Sequence, residues 1–213
     1  MTVYDLSHEL GSGLPYPGDP PASVTPHATM TEDGYRVAAV ECCTHSGTHV
    51  DAPAHLEADG ATLGDYDPAA FEFDARVVDC TDVAERAPIP ADRVPDDAEG
   101  VDLVVFHTGF ASRWGEASYF DHPYLAAAAA RACAGAGCAV GLDAPSVDPT
   151  PTDCAGADEP DGHPAHHALL GSGRLILENL RGLDALGERA TVRAHPLPVD
   201  ADGAPARVVA VPE

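Results

Sequence analysis

The chain has 213 residues, enough for one domain with a sizeable core, and an ordinary hydrophobic fraction of 45%. Its charge is not ordinary: 35 acidic residues stand against 11 basic ones, all of them arginine, for a formal net charge of -24. That balance speaks against nucleic acid and anionic membranes as partners, since phosphates are held by basic patches, and no apolar run reaches the roughly 18 residues of a membrane span.

In chain order, residues 3–9 read as a short strand and residues 11–21 as a Gly/Pro-rich loop. Residues 24–30 and 35–44 read as strands around a turn at Glu32-Asp33-Gly34. Asp67-Pro68 resembles a helix start, a cap followed by proline. Residues 75–80 and 101–107 are apolar and β-branched, as strands are. The clearest helix spans 121–134, with Pro123 near its start, alanines in its body, and Gly135 and Gly137 at its end. A buried-type strand over 138–142 precedes a long loop over 149–164. A short helix over 164–170 and strands over 175–177, 191–197 and 206–211 complete the chain. The mixture predicts an α/β or α+β fold in one domain over 1–213, without linker or repeat.

The most informative stretch runs from His45 to His55: His-Ser-Gly-Thr-His-Val-Asp-Ala-Pro-Ala-His. His45, His49 and Asp51 have the same parity, so on an extended segment they share a face, with Gly47 between them leaving room for an ion. Imidazole plus carboxylate suits Zn²⁺ or Mn²⁺. A helix would also align His45 with His49, but Gly47, Thr48, Val50 and Pro53 are weak helix formers. Pro53 ends the strand, and the returning chain brings His55 over the site as a group that need not be a ligand.

Farther on come His163, His166, His167 and Glu178. Glu178 ends an apolar run, and burying a carboxylate is costly unless it is paired or metal-bound. From the residues alone, a ligand and a carboxylate partnered by Arg or backbone amides are equally good readings. Asp143 and Asp148 flank a strand end, where they either orient ligands or cap turns. Trp114 and Phe110 belong to a pocket, a subunit contact or the core. His8, His27, His107, His122 and His195 have no partner in the sequence and read as structural or surface groups.

The His45–His55 segment resembles the His-x-Gly-Thr-His-x-Asp-x-Pro-x-His signature of the metal-dependent cyclase family, which includes bacterial-type kynurenine formamidases and isatin hydrolases. Asp5-Leu6-Ser7 and Pro15-Tyr16-Pro17-Gly18-Asp19-Pro20 resemble its N-terminal blocks. Gly141-Leu142-Asp143-Ala144-Pro145 and Ile176-Leu177-Glu178-Asn179-Leu180 resemble its later ones, so the similarity spans nearly the whole chain. It implies a partly barrel-like β core with outer helices, a swivelling β/β/α-like fold. It also implies that His45, His49 and Asp51 hold one metal, and that Asp51, His166 and Glu178 hold a second. His167 remains an alternative to His166, and with one ion His166 and Glu178 would support the site from outside. His55 matches the catalytic His, and Tyr16 stands where an aromatic residue meets substrate; kynurenine formamidases prefer Trp there.

The expected activity is hydrolysis of an amide C–N bond, in which a divalent ion, Zn²⁺ or Mn²⁺, lowers the pKa of water and His55 relays the proton to the leaving nitrogen. N-formylkynurenine is the leading substrate. A cyclic amide or lactone, as for isatin hydrolases, is the alternative, and metal binding without turnover is a third reading. The family implies a homodimer or larger assembly. Cys42, Cys43, Cys80, Cys133, Cys138 and Cys154 contain no C-x-x-C pair and read as reduced thiols. With no signal segment apparent at the N-terminus, the expected location is the cytoplasm. The lysine-free acidic surface fits a halophile, where salt screens self-repulsion; codon bias toward Arg gives the same composition.

Overall fold

The computed structural model describes residues 2–213 except Asp97, with Glu99 by its backbone alone. Its strands are β1 (Tyr4–Asp5), β2 (Ser23–Ala28), β3 (Val37–Glu41), β4 (His49–Asp51), β5 (Glu72–Asp79), β6 (Pro88–Ile89), β7 (Leu103–His107), β8 (Tyr124–Leu125), β9 (Ala139–Leu142), β10 (Ile176–Glu178), β11 (Arg189–Pro196) and β12 (Gly203–Pro212). Its α-helices are α1 (Ala127–Ala136) and α2 (Pro164–Leu170). The strands β12-β11-β5-β7-β9-β10-β4 form a ring, closed by pairing of β4 with β12, and β1 lies beside β12. The core is thus a fully closed barrel, a stronger closure than the expected partial one.

Three of the ring's seven pairings are parallel, from β5 through β7 and β9 to β10. Parallel strands are covered on both faces and so read as continuous apolar runs; Leu103, Val104, Val105 and Phe106 are all fully buried. Leu103 and Val105 point into the barrel with Val50, Leu177, Val192 and Val208. Val104 and Phe106 point outward to Ala129, Cys133, Leu169 and Leu170 of the two helices. Each large side chain buried this way contributes about 1.5–3 kcal/mol. Antiparallel β11 instead alternates, with Ala190, Val192 and Ala194 inward.

Several expected elements have different limits. The first strand shrinks to Tyr4–Asp5 plus a bridge from Ser7 to Leu180. The helix expected over 121–134 starts at Ala127, because Tyr124, Leu125 and Ala126 donate their N–H groups to Ala87, Val147 and Ile89. Tertiary partners thereby outbid helix propensity. Gly137, at φ 89°, ends α1, while Gly135 lies inside it. Asp67-Pro68 opens a four-residue 3-10 turn rather than an α-helix; the Asp67 carboxylate accepts from Ala69 N. The pair β2–β3 bonds only to itself among the described residues. No helix among those residues is long and apolar enough to cross a membrane.

Candidate metal centre and its pocket

Strand β4 places its side chains by simple alternation. Val50 points into the barrel core, so His49 and Asp51 emerge on the opposite face. On β10, Leu177 points inward and Glu178 outward, and the antiparallel register sets Glu178 directly opposite His49. His49 Nε2 consequently lies 3.4 Å from Glu178 Oε2.

His45 reaches the same place by another route. It is not on the strand; Gly47 adopts φ 66° and turns the chain back. The expected shared strand face therefore holds for His49 and Asp51 but not for His45. A Cβ at Gly47 would meet only Leu10 Cδ1, at 3.5 Å, so this glycine serves the left-handed turn rather than clearance for an ion. The turn still brings His45 Nδ1 to 2.8 Å from Asp51 Oδ1.

Helix α2 supplies the last side chain. Asp148 accepts from the N–H groups of Ala165 and His166, and its Oδ2 also accepts from His166 Nδ1 at 2.8 Å. It both caps the helix and orients a ring, the two roles its position suggested. His166 Nε2 then faces Glu178 Oε1 at 3.5 Å and Asp51 Oδ2 at 3.9 Å. His167 points outward and pairs with Glu57 at 3.0 Å. Asp143 instead accepts from Thr108 and Gly109 and closes a turn.

The donor set fits a divalent cation. Ligand atoms of His45, His49 and Asp51 cluster within 4.8 Å of one another, and so do those of Asp51, His166 and Glu178. Asp51 belongs to both groups. His49 Nε2 and Asp51 Oδ2 are buried without a hydrogen-bond partner, an arrangement that costs about 1–3 kcal/mol per atom unless something else satisfies them. Burial opposes every charge here, but mutual attraction wins. Asp51 is held well below the usual carboxylate range by His49 and His45, and Glu178 is lowered by His166 and His49. His49 is raised well above its ordinary value by Asp51 and Glu178. Burial also lowers His166, but its Asp148 and Glu178 partners bring it up to about 10. Imidazoles ligate when neutral, so a cation binding here would release any protons these rings carry.

His55 follows β4 on the 3-10 turn Pro53–His55. Its ring lies 4.0 Å from that of His45 and 5.8 Å from that of His166. Burial, with these neighbouring imidazoles, lowers its pKa. Its ring nitrogen Nδ1 faces Asp202, a residue to which no motif points, at 3.4 Å. Above the cluster opens a cavity of about 310 Å³ with Tyr16, Trp114, Tyr119 and Phe120 among its walls. Trp114 donates to Ser12 Oγ at 3.0 Å and stacks on His8 at 3.9 Å. A Cβ at Gly13 would sit 2.3 Å from the indole, so the loop can cross Trp114 only with glycine there. Phe110 belongs to the core. Asn179, at φ 57°, accepts from Tyr119 and donates to Gly47 O, bracing the turn beneath.

The profile of the Cyclase family matches residues 4–149. A kynurenine formamidase of Salinibacter ruber is 33% identical over 219 residues, covering 98% of this chain and 97% of that protein. The chain belongs to the cyclase family. A solved cyclase-like structure, described as a potential metal-dependent hydrolase with cyclase activity, is 31% identical with TM-score 0.78, over 98% of this chain and 96% of that one. An isatin hydrolase bound to the product analogue thioisatinate superposes with TM-score 0.86 over 99% of this chain and 92% of the other; at 23% identity it shows the shared cyclase fold. As a cyclase-family member the chain is a hydrolase with a site suited to a divalent metal.

The residues that sequence reasoning missed in this cyclase are Asp202 and Asn179. Asp202 lies in a Gly-containing bend with no motif. Asn179 lies in the Ile176–Leu180 block but was given no role there, although its tolerance of a left-handed backbone was a signal.

Proposed function

We propose that this cyclase-family hydrolase, acting as one domain over residues 1–213, cleaves the amide C–N bond of N-formylkynurenine to give kynurenine and formate. The observation that carries the reading is Asp51, shared by two ligand groups on the floor of an aromatic-walled cavity with His55 beside them. The formamidase relative, similar along nearly its whole length, supports the substrate. His45, His49 and Asp51 would hold one ion and Asp51, His166 and Glu178 a second, with Zn²⁺ preferred over Mn²⁺. When bound, such an ion acidifies water and polarises a carbonyl.

The chain's own groups do the rest. Tyr16, Trp114 and Phe120 give the aryl ring flat apolar surface. His55, kept neutral by burial, accepts the proton released as water adds to the formyl carbon and returns it to the departing nitrogen. The leaving amine is thereby neutral, and formate keeps the added oxygen. Glu178 Oε1 accepts from Val147 N at 2.9 Å, which fixes its carboxylate.

The test is formate release from N-formylkynurenine by zinc-loaded protein in molar salt. Turnover is expected. Tyr16 in place of Trp weakens the formylkynurenine assignment, and the likeness to an isatin hydrolase makes a cyclic amide the second reading: no formate from folded, metal-loaded protein, together with ring opening of isatin, would transfer the assignment there.

We further infer a homodimer adapted to high salt. A lone two-stranded hairpin is marginal in water, yet Val24, Val37 and Val40 of β2–β3 are exposed, and Glu41 is the one acidic side chain on these strands. A second copy would cover them. Light scattering paired with thermal melts at low and molar salt should give a two-chain mass and a higher melt in salt. A one-chain mass sinks the first inference, an unchanged melt the second.

A further inference from the structure

Between β11 and β12 the chain bends across the metal motif. Ala52 N donates to Asp202 O at 2.8 Å, Leu63 N donates to Ala201 O at 2.9 Å, and the Thr62 hydroxyl donates to the Asp200 carboxylate. Gly203 pairs with Asp51 across the sheet. A Cβ at Gly203 would lie 2.8 Å from His45 Cε1 and 3.0 Å from Val50 O, so only glycine permits this approach. The bend is a built support, pinned at three points and seated against a ligand ring.

It presents one carboxylate oxygen to two imidazoles. Asp202 Oδ2 is 2.8 Å from His45 Nε2 and 3.4 Å from His55 Nδ1. A carboxylate oxygen has lone pairs for two donors, and the two rings, tilted by 39°, converge on it. With Nε2–H of His45 committed to Asp202, Nδ1 is the nitrogen left to face Asp51 and the ion. With Nδ1–H of His55 committed likewise, Nε2 is left to face the cavity.

We propose that Asp202 is a positioning residue that sets the ring orientation and tautomer of His45 and His55 together, coupling metal affinity to proton transfer. Ligand imidazoles elsewhere are commonly fixed by a carboxylate on their second nitrogen, and losing it costs about 10–100-fold in affinity or activity. Here one carboxylate serves both the ligand and the proton carrier. The His55 half rests on the hydrolase reading above; the His45 half does not.

The experiment uses the full zinc-loaded chain in molar salt, as wild type and as Asp202→Ala, Asp202→Asn and Asp202→Glu, each checked for folding by its melt. Zinc affinity is read by chelator competition, and kcat and KM are read with N-formylkynurenine. For Asp202→Ala we expect zinc affinity about 10-fold weaker, kcat lower by about 10–100-fold and KM within about twofold, with the number of ions per chain unchanged. Asp202→Glu should recover part of both. Wild-type affinity and kcat in the folded Ala or Asn variant would overturn the proposal. So would loss of one whole ion equivalent, because Asp202 would then be a ligand. If wild type turns over no N-formylkynurenine, the formamidase reading fails, and the chelator arm still decides whether Asp202 sets His45.

Discussion

Asp51→Asn should fold, bind little metal and lose hydrolysis on the order of 10³-fold or more, the scale of removing a group that stabilises reaction charge. Asp51 is fully buried and belongs to both ligand groups, so this one change removes a negative charge from each. The amide has nearly the same volume, which separates the charge effect from packing. It also leaves His45 Nδ1 without its anionic partner and His49 with Glu178 alone. Breaking a buried pair by removing one member costs about 3–5 kcal/mol, so the variant's melt should fall as well. Elemental analysis after dialysis and a urea titration check the two parts. Wild-type metal content with full turnover would show that the cluster is not the catalytic centre.

His55→Ala should behave in the opposite way toward metal. The ion content should stay at the wild-type level, while kcat falls by about 10²–10⁴-fold, the usual contribution of a positioned acid–base group. The structure supports this division because His55 stands outside both ligand groups that contain Asp51, and its Nδ1 is turned toward Asp202. Added imidazole, entering the space left by the ring, should restore part of the rate. Loss of metal in step with activity would make His55 a ligand and remove it as the proton carrier.

The part of the site legible in the sequence was the part carried by short-range alternation. His49 and Asp51 flank an inward valine, and Glu178 follows an inward leucine. In both cases a period of two decides the face. The same rule misassigned the route of His45, because a left-handed Gly47 interrupts the strand. The family resemblance favoured His166 by its spacing to Glu178 but kept His167 as the alternative. Only the seating of α2 against the barrel, with its first turn tied to Asp148, points one ring inward and sends the other to Glu57. The start of α1 was misjudged for a related reason, since the N–H groups at 124–126 find partners far along the chain.

The residues alone determined a mixed α/β chain with an acidic, lysine-free surface and a histidine–aspartate cluster suited to a divalent ion. Tertiary structure alone decided that β4 closes the barrel between β10 and β12. From that closure follow the opposition of Glu178 to His49 and the placement of Asp202, 157 residues beyond His45, against two imidazoles. The reason is physical. Side-chain direction along a strand is set by local backbone geometry and can be read from neighbours in sequence. Which strands lie side by side, and in what register, is set by burying the apolar faces of the entire ring at once.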